Sequence, residues 1–208
     1  MTQEKQAVRK HRVQRGFSLL EVMIAMIVMT IGLLAVVLSF GTAITAIEWA
    51  QEDLIARHKA LDAMESIYTA RNSQQLPFAA INNVANGGIF AAGPQPLLCA
   101  GPTYGIVGVS GDTTPCLTQA GATCPNGGVE CMVLPGPDGI LGTGDDEPYS
   151  LNYFTRTITF SNTNLPAAQG GGINTNLIAV AITINYIKPG RYGLTRSYTV
   201  NGLISSYH

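Results

Sequence analysis

Between Phe17 and Ile47 the chain runs through 31 consecutive residues (FSLLEVMIAMIVMTIGLLAVVLSFGTAITAI) that hold one charge, Glu21, and no proline. About 20 apolar residues in a helix are enough to cross the hydrocarbon layer of a bilayer, so this run reads as a membrane-spanning helix. It accounts for much of the low charge of the chain, since Asp, Glu, Lys and Arg make up 12% of it, about half the roughly 25% usual in soluble domains. At 46% hydrophobic residues the chain is not compositionally disordered. With a net charge of −1 and no basic cluster beyond residue 15, a nucleic acid is not expected among its partners.

The sixteen residues before the run, MTQEKQAVRKHRVQRG, carry five basic side chains against Glu4. Positive charge before a span holds that end in the cytoplasm, which places everything after Ile47 outside the cytoplasmic membrane. A secretory signal has an apolar core of only about 7 to 15 residues followed by a small-residue cleavage site. This run is about twice that long, and the small residues from Ala43 to Ala46 mark where such a cut would otherwise fall.

Helical periodicity continues past the apolar run, with Ile47, Ala50, Leu54, Leu61, Met64 and Tyr68 recurring at spacings of three, four or seven. These are the expected core-facing positions, and Asp53 and Arg57 are placed for an i,i+4 ion pair. The first helix breakers are Asn72, Ser73 and Pro77, so one helix is expected over residues 17–73, with 17–47 in the membrane. Residues 74–148 then gather most of the glycine and proline and all four cysteines, the composition of loop-rich surface structure. Three segments with β-branched or aromatic alternation follow: Tyr149 to Phe160, Leu177 to Ile187 and Leu194 to Ile204. Their connectors, Asn162 to Asn176 and Lys188 to Gly193, carry turn chemistry. The expected fold is α+β, a long N-terminal helix whose lower half packs on an antiparallel β-sheet head (74–208) with a cysteine-containing loop region.

The junction Arg15 to Met23, RGFSLLEVM, resembles the processing site of type IV prepilins. In that family a membrane peptidase cuts after the glycine, here Gly16, and the new N-terminus, here Phe17, is methylated. Residues 1–16 would then be a cleaved cytoplasmic leader, and the family's acidic fifth residue of the mature chain falls on Glu21. The phrase TIGLLA, Thr30 to Ala35, and the KPGRYG turn followed by TRSYTVNGLI are similar to the PilV class of minor pilins and to minor pseudopilins of type II secretion. Major pilins commonly carry a proline in the apolar stretch, and this chain has none before Pro77. The resemblance implies a structural subunit whose partners are other pilins, the prepilin peptidase and an inner-membrane assembly platform. Assembly would then carry it from the inner membrane to a pilus at the cell surface.

The chemistry of Glu21 points the same way. A carboxylate inside an apolar run costs up to about 3 kcal/mol on insertion scales and calls for a partner. After cleavage the amine of Phe17 on a neighbouring subunit is such a partner. At 4 Å and an effective dielectric near 20 the two charges attract by about 4 kcal/mol before desolvation. Removing one member strands a buried charge at about 3 to 5 kcal/mol. Glu21 would thus set register between subunits while the apolar surface supplies adhesion.

Two further clusters lie in the head. Cys99, Cys116, Cys124 and Cys131 are spaced by 17, 8 and 7 residues and lack the C-x-x-C knuckle of zinc sites. An even number in an exported head reads as two disulfides, with three possible pairings. The stretch Pro135 to Glu147, PGPDGILGTGDDE, resembles Asp/Gly calcium loops, and Asp138, Asp145, Asp146 and Glu147 are hard oxygen donors suited to Ca²⁺. No other cofactor is expected. The sequence has no HExxH, GxSxG or GxxxxGK[ST] motif, and only His58 and His208 lie beyond the leader, so catalysis is not expected. His58, between Leu54 and Leu61, is expected to be a packed or polar-rim side chain, and Trp49 suits an interfacial anchor.

Overall fold

The computed structural model describes residues 17–102, 104–118, 123–166, 169–187 and 194–206. The expected leader with Gly16, the turn at 188–193 and His208 lie outside the described residues. One helix, α1, runs over Leu19–Asn72, 54 residues without interruption. The strands are β1 (Gln95–Pro96), β2 (Cys131–Leu134), β3 (Glu147–Ser150), β4 (Phe154–Asn164), β5 (Ile173–Ile187) and β6 (Thr195–Ser205). The chain divides into two compact units, Met1–Trp49 and Ala50–His208, so the last turns of α1 belong to the head.

In the head, the last part of α1 packs on a four-stranded antiparallel sheet of order β1-β4-β5-β6, and β2 and β3 form a separate hairpin. This is the pilin-like α+β arrangement, with the disulfides in the loops between Cys99 and Cys131. The strand expected over Tyr149 to Phe160 is two strands, because Leu151 to Tyr153 turn the chain from the β2–β3 hairpin into the main sheet. Residues 74–148, expected as loops, also contain two 3₁₀ turns and the short strands β1 and β2.

Of the expected core-facing positions Met64 is buried and Tyr68 packs against the core, but Ile47, Leu54 and Leu61 are exposed and alanines mark much of the face that meets the sheet. Ala56, Ala60, Ala63, Met64, Ile67 and Ala70 are buried, at spacings of three and four, whereas Leu54 and Leu61 are 55% and 46% exposed. Alanine carries little side chain, so this stripe lets the helix backbone approach the sheet closely. At Gly202 a Cβ would lie 2.7 Å from the Tyr68 hydroxyl and 3.1 Å from Met64 Cε, so the strand leaves room there for the helix. The expected Asp53–Arg57 pair is replaced by contacts to the sheet. Asp53 accepts a hydrogen bond from the Tyr186 hydroxyl at 3.3 Å, and the Arg57 guanidinium lies 5.4 Å from the centre of the Tyr198 ring. His58 is exposed.

Alternation along the strands separates two faces. Phe154, Arg156, Ile158 and Phe160 of β4 and Val180, Ile182, Ile184 and Tyr186 of β5 point into the core, with Phe90, Ile81, Leu97 and Ile106 from the loops. The opposite face of β4 carries Thr155, Thr157, Thr159 and Ser161. Asn83 closes the part of β4 that β1 does not reach, donating from Nδ2 to the carbonyls of Ala91 and Ile158 and accepting from the Phe160 amide. Tyr68 donates to the Leu203 carbonyl and Arg71 to the carbonyls of Ser205 and Ser206, which ties the end of the helix to the end of β6.

Candidate functional site

The candidate site is the N-terminal segment of α1. Ser18 precedes the first helical residue, and its carbonyl accepts from the amides of Glu21 at 3.0 Å and Val22 at 3.2 Å, which starts the helix. Glu21 therefore lies in the first turn, where a negative charge opposes the positive end of the helix dipole. One turn and two turns on, Ile24, Ala25 and Val28 share its face, so the carboxylate heads an apolar stripe. Phe17 is 82% exposed.

Every residue from Phe17 to Ile44 is exposed, and an 18-residue window within α1 reaches a mean hydropathy of 2.7 with none of it buried. That is the length and composition of a membrane span. Three threonine hydroxyls in and just after this stretch are satisfied locally. The hydroxyls of Thr30, Thr42 and Thr45 donate to the carbonyls three residues back, at 2.8 to 2.9 Å. Gly32 and Gly41 have no atom within 4 Å of where a Cβ would stand, so both leave open notches on the helix surface. A segment of this kind offers an apolar surface with small-residue notches for helix–helix contact.

The head places the remaining candidates as follows. Cys99 pairs with Cys116 and Cys124 with Cys131, at Cα–Cα distances of 5.0 and 5.8 Å. The Cys116 amide donates to the Gly128 carbonyl and the Cys124 amide to the Cys116 carbonyl, so the two bridges fasten one folded loop.

Of Asp138, Asp145, Asp146 and Glu147, the first two meet at the Thr143 hydroxyl, which lies 3.4 Å from Asp138 Oδ1 and 2.6 Å from Asp145 Oδ1. Asp138 Oδ1 accepts from the Ile140 amide, Asp145 Oδ1 from the Thr143 hydroxyl at 2.6 Å, and Asp146 Oδ2 from the Gly142 amide at 2.6 Å. Glu147 begins β3 opposite Leu134. The Thr143 hydrogen bond holds the Asp145 carboxyl below the usual carboxylate range. Among the described residues no group of three or more His, Cys, Asp or Glu is close enough to hold a metal ion.

A polar cluster that the sequence does not reveal joins helix, hairpin and sheet. Lys59 on α1 pairs with Glu130, which precedes β2, and lies 3.6 Å from Asp62. Arg156, on the core side of β4, is 3% exposed, and burial lowers its pKa to about 10 while the charge of Glu130 acts the other way. Lys59 and Glu130 stand 71 positions apart, and nothing in their local sequence marks them as partners.

Residues 11–37 match the family model of the prokaryotic N-terminal methylation motif. No curated protein and no solved structure matches the chain. The matched segment spans the RGFSLLE junction and the first part of the exposed helix, and it supports a type IV pilin-like protein, anchored in the membrane by that helix and structural in its role.

Proposed function

We propose that the protein is a minor structural subunit of a type IV filament. It is stored as a single-pass inner-membrane precursor with its head outside the cytoplasm. Prepilin peptidase cuts after Gly16 and the Phe17 amine is methylated. The assembly platform then passes the subunit into a filament, where its exposed apolar helix packs among the helices of its neighbours. The observation that carries this reading is the methylation-motif match over residues 11–37 coinciding with a stretch of α1, up to Ile44, that is exposed throughout and apolar apart from Glu21 and a few hydroxyls.

Within the filament the apolar surface supplies adhesion and Glu21 supplies register. The carboxylate is the single charge of residues 17–47. Its partner is the N-terminal amine of an adjoining subunit, since an unpaired charge in that environment is unfavourable by several kcal/mol.

Two variants expressed in the native cell test the reading through sheared-filament fractions. Gly16→Leu is expected to leave an uncut precursor in the membrane and none in the filaments. Glu21→Val is expected to be cut normally and yet to fall at least tenfold in the sheared fraction. Wild-type amounts of both variants in filaments would refute the role. Recovery of the wild-type chain only with type II secretion components would assign it to a pseudopilus in place of a pilus.

A further inference from the structure

We propose that the open edge of β6, with the leucines beside it on α1, is a docking site for one extended segment of a partner protein, a strand with apolar residues at alternate positions. The proposal stands on the head alone and does not depend on filament assembly.

Main-chain direction defines the first half of the site. In an antiparallel ladder the N–H and C=O of one residue point to the same side, and those of the next residue to the other. The Ser206 amide donates to the Asn176 carbonyl on the β5 side, so the even-numbered residues of β6 bond to β5. The odd-numbered residues point away from the sheet, where the Leu203 carbonyl accepts from Tyr68 and the Ser205 carbonyl from Arg71. Thr195, Ser197, Thr199 and Asn201 continue that outward row and are exposed, and β6 ends the sheet among the described residues. The opposite edge is closed. There β1 pairs with Thr155 and Arg156, and Asn83 takes the Ile158 carbonyl and the Phe160 amide. Edge strands are commonly kept short, bulged or broken by proline, whereas β6 runs 11 residues in unbroken register with β5. Main-chain donors and acceptors repeated at every second residue are the complement of another strand, which is how peptides add to sheet edges.

The helix supplies the second half. Arg57 lies over the Tyr198 ring and Tyr68 reaches Leu203, so the flank of α1 that carries these two side chains runs along β6. Leu61 stands four residues after Arg57 and seven before Tyr68, and Leu54 stands seven before Leu61, which puts both leucines on that flank. Both are about half exposed. A single exposed leucine is ordinary, but here two large apolar side chains in heptad spacing line an open strand edge. A strand added to β6 alternates its side chains as β6 does. One set would lie beside Ser197, Thr199 and Asn201, and the other beside Tyr198, Val200 and the leucine flank. The main chain therefore accepts an extended segment, and the leucines select one whose helix-facing set is apolar. A second copy offering its own β6 would bring Arg196 and Gly202 to the leucines, a poorer match than a strand apolar at each alternate position.

The test uses the full chain in its native cell, with a benzophenone amino acid placed at Ser197 or at Asn201 and the photo-cross-linked peptides located by mass spectrometry. Both positions are expected to join one segment of one partner protein, at sites about four residues apart, as paired strands require. Thr199→Pro removes an outward N–H and sets a ring in the path of the incoming strand, at a kind of edge position where proline is tolerated. Leu61→Lys is the second variant and acts on the helix flank alone. Each should lower the cross-linked fraction at least tenfold, and a thermal melt of each checks that the head stays folded. Cross-links that scatter over unrelated sites, that fall only on a second copy of this chain, or that do not form overturn the proposal. So does a cross-linked fraction unchanged by either folded variant.

Discussion

Ile67→Ala is the substitution that best tests which face of α1 holds the head together. Ile67 is fully buried in line with Ala56, Ala60 and Ala63, where the helix meets the sheet. Truncating a fully buried isoleucine costs about 2 to 5 kcal/mol through lost transfer energy and the cavity left behind. The alanines beside it cannot expand to fill that cavity, so about 3 kcal/mol is expected. A chain of this size loses roughly 2 to 4 °C in Tm per kcal/mol, which places the shift at about 6 to 12 °C. Leu54→Ala is the control. Leu54 is larger than the buried alanines yet 55% exposed, and half of the roughly 2 kcal/mol for burying a leucine gives about 1 kcal/mol. Near-ultraviolet circular dichroism of the full chain in detergent follows the head through its tyrosines. If Leu54→Ala lowered Tm as much as Ile67→Ala, the alanine stripe would not be the packed face and the reasoning would fail.

Other parts of the head give sharper local tests. Gly202→Leu should lower Tm by several degrees, because overfilling a packed contact costs about 1 to 3 kcal/mol and the new side chain meets Met64 and Tyr68; an unchanged melt would remove the close approach. Serine replacement of Cys124 and Cys131 opens a bridge of sequence separation 7, with a loss of about 2 kcal/mol by loop-closure entropy, against about 3 kcal/mol for Cys99 and Cys116; denaturant melts that reverse this order would contradict it. Because the Asp145 carboxyl titrates below its ordinary value of 3.8, its contribution to loop order is present above that pH and is lost as pH falls through the lower native value. Thr143→Val should move the Asp145 midpoint up towards 3.8 in an NMR titration, and an unmoved midpoint would show that the hydroxyl is not its main partner.

The sequence makes the longest elements legible because their signals are long. Thirty-one residues without a breaker define the N-terminal part of α1, and β-branched alternation defines β5 and β6 to within a few residues. Short elements leave no such trace. β1 is two residues, one of them proline, and exists because it lies beside Thr155 and Arg156 on β4. Spacing of the apolar helix residues finds Met64 and Tyr68 but also picks the exposed Leu54 and Leu61, whereas close packing against the sheet adds Ala56, Ala60, Ala63 and Ala70, a preference visible only once the sheet is present. Four cysteines allow three pairings, and the loop fold that brings Cys124 beside Cys131 is tertiary information. In the Asp/Gly loop the sequence shows the acids but not their local partners, the Ile140 and Gly142 amides and the Thr143 hydroxyl. The candidate assembly segment is the most legible part of all, since its chemistry is local to residues 15–47.

Mass spectrometry of the N-terminal peptide, on protein taken from native membranes or sheared filaments, tests the central claim most directly. The account predicts a chain that begins at N-methylated Phe17 and has lost the sixteen residues up to Gly16. A chain that retains Met1 and its leader, or one that begins near Ala46 after an ordinary signal-peptidase cut, would contradict it.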